Sequence, residues 1–417
     1  MSVSQKTIYV YDDFSMDAPT LIGKLYVDVI KGNESYSFEY ENEWLKQNHL
    51  SAILDPDLLP FRGRQYPSGK SIFGLFADAS PDRWGRVLMN KRERILAQKE
   101  GRKPRKLYDS DYLLGVYDET RMGGIRFKDD IEGPFLSDDV DTAAPPWATL
   151  RTLEEASRGF ENDDVGLSEK WLNQLIKPGS SLGGARPKAT VVDTSGQLWI
   201  AKFPSKHDEN DTGAWEKVTH DMAKMCGLKV PESKLEKFSN LGSTFLVKRF
   251  DRDGEKRVHF ASAMTLLGKT DGASASDGTS YLDIVGFIKS NGASPKADLI
   301  ELWRRIVFNM AVTNTDDHLR NHAFMLKKNG WELSPLYDVN PMPYGDELSL
   351  LVDEVDNRIN LDLVIKTAPR FGISEANARR MADEILTIVR ENWIKLATRY
   401  GLSRNQIEDM RPAFSLC

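Results

Sequence analysis

The sequence has little cysteine, no long apolar run and no excess of basic residues, and each shortage excludes a class of protein. Cys226 and Cys417 are its only cysteines, which excludes a disulfide framework and a cysteine-based zinc site. No apolar run approaches the ~18 residues of a membrane-spanning helix. The first residues lack the basic start and apolar core of a signal segment. We therefore expect a cytoplasmic protein that does not interact with a membrane.

The charge balance is slightly acidic. The chain carries 62 acidic and 56 basic side chains, a net charge of −6 at pH 7, so the phosphate backbone of DNA would repel the molecule as a whole. The local exception is a basic segment from Lys91 to Lys106. It has two interpretations, a solvated helix end with its loop or a surface that contacts DNA or an acidic partner.

The residue patterns predict an α+β protein of several parts. Residues 1–140 form a β-rich module, in which TIYVYDD, LIGKLYVDV and SYSFEYEN are predicted strands and residues 31–34 a hairpin turn. The stretch PDRWGRVLMNKRERILAQ has helical periodicity, whereas YLLGVYDE and GGIRFK are predicted strands. An acidic, proline-containing linker at 129–150 marks the expected boundary.

Two further parts follow the linker. Residues 150–260 are predicted to be a small mixed α/β lobe, with helices at RTLEEASRGF, SEKWLNQLI and AWEKVTHDMAKMCGL and short strands after the glycine-containing SSLGGARPK. Residues 261–417 are predicted to be a larger lobe that is mostly helical, because helical periodicity dominates there.

Functional side chains are concentrated in the loop TNTDDHLRN, from Thr313 to Asn321. A loop that only changes direction has no use for two carboxylates, an imidazole, a guanidinium and an amide. Asp316 and Asn321 have the separation of the base and the metal-binding Asn of protein kinases, and Asp338 follows as a second metal ligand would. Their oxygens suit Mg²⁺. The alternative is that Asp316 caps a helix and Asp338 begins a turn.

Residues upstream of this loop fit phosphate binding. Lys202 lies on a predicted strand, and Glu216 at the start of the next helix is placed to hold it as an ion pair. The alternative is a surface lysine and a first-turn glutamate favoured by the helix dipole. Arg186 and Lys188 add positive charge to SSLGGARPK, which matches no established phosphate-binding glycine motif. His318 either faces the nucleotide or is structural.

Together, SSLGGARPK, IAKFP, KRFDR, TDDHLRN and LYDVN resemble the HipA family of serine/threonine kinase toxins from bacterial toxin–antitoxin systems. FADASPDRWGRVLM and LLGVYDETRMGGIRF are similar to stretches of that family's N-terminal module. The resemblance implies a bilobal, protein-kinase-like core after the β-rich module, with ATP and Mg²⁺ as cofactors.

The resemblance also implies a role for each matching position. Asp316 would be the catalytic base, and Asn321 and Asp338 would hold Mg²⁺. The positions expected to contact ATP are Gly183, Gly184, Ala185, Arg186, Pro187, Lys188, Lys202, Glu216, Lys248, Arg249, Phe250, His318, Tyr337 and Asp338. Ser181, or its neighbour Ser180, would be autophosphorylated, and the added charge of roughly −2 would displace the loop from its place against the nucleotide phosphates.

Three departures from the family pattern concern substrate choice more than ATP binding. Asp317 stands where the family has glycine, which predicts a less permissive and more acidic loop. Arg186 and Pro187 replace a Gln-Glu pair, and HFASAMTLLG stands where the family shows a His-Gln-Glu-Asp run.

The implied partners are a helix-turn-helix antitoxin of the HipB type and a protein substrate. DNA contact is expected only through the antitoxin complex. Members of the family are associated with aminoacyl-tRNA synthetases, glutamyl-tRNA synthetase among them, and the sequence does not identify the target. Two alternatives to a protein kinase remain, a small-molecule phosphotransferase and a catalytically silent corepressor that binds an antitoxin on DNA.

Overall fold

The fold is taken from a computed structural model, which describes residues 4–47, 52–137, 144–162, 175, 184 and 186–417. The chain forms two compact units. The first comprises Met1–Ser205 and Lys248–Ala261, and the second comprises Lys206–Val247 and Ser262–Cys417. The division into a module at 1–140 and lobes at 150–260 and 261–417 stays a prediction.

The strands are numbered in chain order. They are β1 (Ser4–Asp12), β2 (Thr20–Ile30), β3 (Asn33–Tyr40), β4 (Ile125–Lys128), β5 (Lys188–Val192), β6 (Leu198–Lys202), β7 (Ser233–Glu236), β8 (Thr244–Lys248), β9 (Arg252–Asp253), β10 (Lys256–Arg257), β11 (Phe260–Ser262), β12 (Ala323–Lys327) and β13 (Gly330–Leu333).

The helices are numbered in the same way. They are α1 (Asn42–Gln47), α2 (Gly74–Asp78), α3 (Arg83–Lys99), α4 (Asp109–Leu114), α5 (Leu150–Glu161), α6 (Thr212–Met225), α7 (Ala263–Leu266), α8 (Tyr281–Asn291), α9 (Pro295–Ala311), α10 (Leu361–Thr367), α11 (Glu375–Arg399) and α12 (Arg404–Met410). Within the described ranges, every helix is too short or too polar to cross a lipid bilayer.

The first unit contains an antiparallel sheet with the strand order β3-β2-β1-β4. The turn between β2 and β3 consists of Lys31 and Gly32, whose φ angles are 52° and 77°. Two successive positive φ angles give the mirror-image turn that matches strand twist, which favours glycine. The structure thus confirms the three predicted N-terminal strands and the hairpin turn.

One predicted strand is wrong. The residues YLLGVYDE are not extended, because their first half belongs to helix α4. The Asp111 carboxylate accepts the backbone N–H of Tyr108 at 2.9 Å, which caps the first turn of this helix. A short apolar run alone does not distinguish a strand from a buried helix, and here the acidic residues ahead of it decide for the helix.

The predicted strands on both sides of the Ser195–Gly196 turn are confirmed as the hairpin β5–β6. Asp193 stabilises the turn by accepting the N–H groups of Ser195 and Gln197. Helix α5 confirms the prediction at RTLEEASRGF, whereas SEKWLNQLI lies outside the described residues apart from position 175.

A buried charge network joins the Lys248–Ala261 segment to the N-terminal residues of the first unit. Asp251 is fully buried and accepts N–H groups from Arg249 at 2.6 and 2.9 Å, Arg252 at 2.7 Å and Gly123 at 2.9 Å. Burial by itself would raise the pKa of Asp251, but the two guanidinium groups outweigh it and hold the pKa below its usual range. The Arg249 guanidinium also donates to the carbonyl of Thr120 at 2.5 Å.

Replacing this carboxylate tests the network. We expect Asp251→Asn to lower the free energy of unfolding by about 2 kcal/mol at pH 7, because buried guanidinium groups lose their counter-charge. Asp253→Asn changes an exposed residue of the same segment and serves as the control. Since the folded pKa of Asp251 is depressed, its contribution is present above the unfolded pKa of about 3.9 and is lost as pH falls further. In urea unfolding, the difference in the free energy of unfolding between Asp251→Asn and Asp253→Asn should be smaller at pH 3 than at pH 7. Equal free energies for the two variants at pH 7 would contradict the role of Asp251 in the network.

In the second unit, the predicted helices enclose a core around α9. Leu302, Trp303, Ile306 and Met310 of this helix are fully buried, and both α6 and α9 pack against the long helix α11. Helix α6 confirms the predicted helix that ends at Gly227, whose φ is 72°. The loop after α9 and the loop after hairpin β12–β13 carry the residues discussed next.

Candidate active site

The stretch TNTDDHLRN forms the loop between α9 and β12, as predicted. Its first residue, Thr313, has a φ of 48°, a left-handed conformation that is uncommon for a β-branched residue. Thr313 is held there by its hydroxyl, which donates to the Ala413 carbonyl at 2.8 Å, and by its own carbonyl, which accepts the Met342 N–H at 3.2 Å. Backbone strain of this kind is concentrated at functional sites.

The two neighbouring carboxylates of the loop differ sharply in burial. Asp316 is exposed, whereas Asp317 has 1% of its side chain exposed. One oxygen of Asp317, Oδ2, accepts hydrogen bonds from Tyr281 Oη at 2.6 Å, Asn309 Nδ2 at 2.7 Å and His322 Nε2 at 2.9 Å. Burial favours the neutral acid, but His322 and the other donors outweigh it and lower the pKa of Asp317. Asp317 is therefore a buried anion that fixes the loop.

The expectation that Asp317 makes the loop more acidic stays a prediction, and the structure places this carboxylate in the interior rather than at the surface. Its charge is enclosed by donors in the interior of the second unit and does not face solvent. Sequence reasoning missed this network. The available signal was Asn309, a polar residue within the apolar helical run LWRRIVFNMAV, because buried amides need partners.

Asp316 presents its carboxylate at the surface while its backbone is held in place. The Asp316 carbonyl accepts the side-chain amide of Asn321 at 2.9 Å and the N–H of His318 at 3.0 Å. Partial desolvation raises the pKa of Asp316, His318 lowers it, and the nearby carboxylates of Asp338 and Asp317 raise it further. The influence of Asp338 shows that the structure brings these two predicted residues together.

Three polar atoms on the segments that carry Asp316 and Asp338 are buried with no protein partner among the described residues. They are Asn321 Oδ1, His318 Nδ1 and Asn340 Oδ1. A buried polar atom without a partner is unfavourable by roughly 1–3 kcal/mol, so such atoms are satisfied by water, an ion or a ligand. Asn321 donates to Asp316 through its nitrogen, which leaves the oxygen available to a cation.

Asp338 lies beyond β13 on a strained backbone. Its φ is 58°, in the left-handed region, and the preceding Tyr337 anchors it by donating its hydroxyl to the Arg320 carbonyl at 2.6 Å. Arg320 belongs to the same loop as Asp316. The segment carrying Asp338 is therefore tied directly to the loop that carries Asp316.

A set of oxygen atoms of this kind fits Mg²⁺. Magnesium prefers carboxylate and amide oxygens and commonly takes only one or two protein ligands, with phosphates and water completing its shell. Within the described residues there is no cluster of three His, Cys, Asp or Glu side chains that could hold a metal without a substrate. Asn321 and Asp338 fit a metal bound together with a nucleotide.

The predicted phosphate-binding lysines face each other in the first unit. Lys188 and Lys202 are direct partners in the β5–β6 hairpin, which places both side chains on one face. Both are buried, with 2% and 8% exposed. Lys188 Nζ pairs with Asp82 at 2.7 Å and donates to the Gly184 carbonyl at 3.1 Å. Asp82 therefore balances the charge of Lys188 at the start of β5.

Asp82 gives the N-terminal module a structural role at this hairpin that sequence reasoning missed. Its Oδ1 accepts the N–H of Gly85 and so caps helix α3, while its Oδ2 binds Lys188. Trp84 of the same helix donates its indole N–H to the Lys188 carbonyl at 3.1 Å. No local pattern reveals a contact across 106 positions.

The remaining residues predicted near the phosphates lie before β5, at the start of α6 or outside the described residues. Arg186 and Pro187 lead into β5, and Gly184 has a φ of 89°. Gly183, Ala185, Ser180 and Ser181 lie outside the described residues. Glu216 is buried near the start of α6 in the second unit.

The predicted hinge follows β8. The Arg249 N–H donates to the Leu198 carbonyl at 2.9 Å, and its side chain is bound within the Asp251 network. Of its polar groups, Arg249 thus has only its backbone carbonyl to offer a nucleotide. Lys248 is half-buried, and the Phe250 ring lies 6.2 Å from that of Phe260.

The basic segment Lys91–Lys106 ends helix α3 at Lys99 and continues as the loop that follows, as one of its two interpretations predicted. Two of its arginines form ion pairs: Arg102 with Glu93 and Glu100, each at 2.5 Å, and Arg105 with Asp111 at 2.8 Å. A surface that contacts DNA or an acidic partner stays a prediction.

The chain is similar to known proteins in sequence. A family model described as HipA-like C-terminal domain matches residues 180–393, just over half of the chain. A Haemophilus influenzae protein named "Putative kinase" is 31% identical over 195 residues, which cover 41% of this chain and 57% of that protein. The serine/threonine-protein kinase toxin HipA of Shewanella oneidensis is 26% identical over 246 residues, 50% of this chain and 54% of that protein. The chain spans about half the length of the curated relatives it matches.

The fold also matches a solved structure. HipA of Shewanella oneidensis, in a complex with HipB and its operator DNA, superposes with a TM-score of 0.66 over 98% of this chain and 95% of that chain, at 17% identity. At such identity the match establishes the fold alone. Together with the mixed helix and strand content it confirms the predicted α+β class.

Proposed function

Because the chain belongs to the HipA-like C-terminal domain family, we propose that it is an ATP- and Mg²⁺-dependent serine/threonine protein kinase. One observation carries the proposal. The exposed carboxylate of Asp316, the unpartnered oxygen of Asn321 and the strained Asp338 are grouped on loops that bond to each other. Helix capping or turn formation could explain one of these residues alone, but neither explains why all three occur together.

Each residue of this group has a role in the proposed reaction. Asp316 would accept the proton of the acceptor hydroxyl as that oxygen attacks the γ-phosphorus, and the bond to the β-phosphate oxygen breaks. Asn321 Oδ1 and the Asp338 carboxylate would hold Mg²⁺. A bound magnesium ion neutralises charge on the β- and γ-phosphates.

The lysine pair of the β5–β6 hairpin supports nucleotide binding. Lys202 is proposed to meet the ATP phosphates, and Lys188, already paired with Asp82, is proposed to hold the strand that follows the phosphate loop. Lys248, Arg249 and Phe250 are proposed to contact adenine, Arg249 through its backbone. His318 and Tyr337 are proposed to line the nucleotide site, supported by the buried His318 Nδ1 that has no described partner.

Regulation and partners are proposed by similarity. Autophosphorylation at Ser181 is proposed to displace the phosphate loop and switch the enzyme off. A helix-turn-helix antitoxin is the proposed partner, supported by the fold match to a HipA that was solved with HipB and operator DNA. DNA contact is proposed through that partner only. An aminoacyl-tRNA synthetase is the proposed class of protein substrate.

The proposal is tested by incubating the purified chain with γ-labelled ATP and Mg²⁺. We expect label on the protein, located by mass spectrometry at Ser180 or Ser181. Nucleotide binding without turnover would indicate the corepressor instead, and labelled small molecules without phosphoprotein would indicate a small-molecule phosphotransferase. Bare serines at both positions after long incubation would end the proposal of self-inactivation.

A further inference from the structure

The buried network beneath the catalytic loop has a second role besides stability. We infer that Asp317, held by Tyr281, Asn309 and His322, is a positioning residue that sets the direction of the Asp316 carboxylate. The inference rests on the proposed kinase function. It assigns no contact with substrate to Asp317, which acts through the peptide it shares with Asp316.

The first step is geometric. Asp317 Oδ2 receives donors from the start of α8, from the last turn of α9 and from the residue preceding β12. Three donors, 5, 8 and 36 positions from Asp317 along the chain, therefore converge on one oxygen atom. These three bonds hold the Asp317 side chain in the interior of the second unit. The side chain of its neighbour Asp316 is exposed at the surface.

The second step concerns the residues before Asp316. Asn309 donates to Asp317 and also accepts a hydrogen bond from Asn314 Nδ2 at 3.1 Å. The Asn314 N–H in turn donates to the Asn309 carbonyl at 2.8 Å. The same helical residue thus holds the loop on both sides of Asp316. This arrangement leaves little freedom to the peptide that carries the base.

The third step is energetic. Enclosing a carboxylate is unfavourable unless several donors compensate, and apolar residues of similar volume often stabilise a core equally well or better. A buried ionic network is better suited to fixing one conformation than to adding stability. Because Asp317 follows Asp316 directly in the chain, fixing the conformation of Asp317 also fixes the position of the proposed base. Misplacing a reacting group by about 1 Å can lower a rate by about 10²-fold.

The side chain at position 317 is the acceptor for all three donors. Tyr281, Asn309 and His322 donate to Asp317 Oδ2. A glycine at this position has no side chain and cannot accept these bonds. Introducing glycine should therefore harm this loop.

The test compares steady-state kinase kinetics of Asp317→Gly, Asp317→Asn and Tyr281→Phe, using the full chain. We expect Asp317→Gly to lower kcat by about 10²-fold while KM for ATP changes less than about three-fold. Asp317→Asn keeps an acceptor oxygen and should recover most of the rate. Tyr281→Phe, which removes one donor and keeps the ring, should lower kcat several-fold and keeps the test valid should the glycine variant fail to fold.

Asp298→Asn is the matched control. Asp298 is a buried carboxylate at the opposite end of α9, where it accepts the Leu333 N–H at 3.1 Å. Its kcat should equal that of the wild type. Hydrogen exchange gives a readout without turnover, since the N–H groups of His318 and Asn321 should exchange faster in Asp317→Gly.

Two results would overturn the inference. One is a kcat of Asp317→Gly and Tyr281→Phe equal to the wild type. The other is a loss of rate that Asp298→Asn shares, or that merely follows the folded fraction. A wild-type protein that transfers no phosphate from ATP would instead contradict the proposed function, so the two failures are distinguishable.

Discussion

Replacing Asp316 by asparagine is expected to lower the rate of phosphoryl transfer by about 10²- to 10⁴-fold, the usual loss when a general base is removed. The side chain is exposed, and its carboxylate makes no hydrogen bond in the described structure, because the bonds to this residue involve its backbone. The substitution should therefore leave the free energy of unfolding within about 0.5 kcal/mol of the wild type. A large kinetic effect with no effect on stability distinguishes a catalytic group from a structural one.

The measurement is phosphoprotein formation from labelled ATP, alongside thermal unfolding of each variant. Asp362→Asn, an exposed carboxylate of helix α10 in the same unit, is the matched control and should retain full activity. Activity of Asp316→Asn equal to that of Asp362→Asn would eliminate Asp316 as the base.

The second large effect is expected at Asp338. We expect Asp338→Asn to weaken binding of the catalytic metal by at least the roughly 10- to 100-fold found when an outer partner of a metal ligand is removed. Because asparagine tolerates the left-handed backbone at φ 58°, the fold should not suffer. Removing the charge also relieves repulsion with Asp316, so the pKa of Asp316 should fall toward its usual value. Stability should be unchanged or slightly higher while activity is lost.

Titrating activity with Mg²⁺ measures this effect directly. The half-saturating Mg²⁺ concentration should rise in Asp338→Asn, whereas Asp346→Asn, an exposed carboxylate in the loop that follows, should match the wild type. An unchanged Mg²⁺ requirement in Asp338→Asn would remove this residue from the metal site.

Local sequence was sufficient for those parts of the fold that depend on neighbouring residues. The β2–β3 hairpin was predictable because Lys31 and Gly32 match the needs of a tight turn. The end of α6 was predictable because glycine follows it. Helix α4 was not, since its apolar run is too short for periodicity to decide and its capping by Asp111 depends on one side chain.

The candidate site likewise contains residues that the local sequence predicts and contacts that it does not. Asp316, Asn321 and Asp338 were found from residue type and spacing, and the structure brings them near each other. The partners of Asp317 and the bond from Asp82 to Lys188 were not found. The partners of Asp317 lie 5 to 36 positions away but meet at one oxygen only in the folded unit, and Asp82 and Lys188 are 106 positions apart. Burial also changed the interpretation of Arg249, whose guanidinium is bound to Asp251 and cannot face adenine. Long-range partners follow from the tertiary fold, which local patterns do not specify.

The most direct test of the account is a crystal structure of the full chain with Mn²⁺ and a non-hydrolysable ATP analogue, in which anomalous scattering locates the metal. We predict an ion about 2.1 Å from Asn321 Oδ1 and from the Asp338 carboxylate, bridging to phosphate oxygens, with Asp316 beside the γ-phosphate. A metal–nucleotide complex bound away from both Asn321 and Asp338 would contradict the assignment of this site.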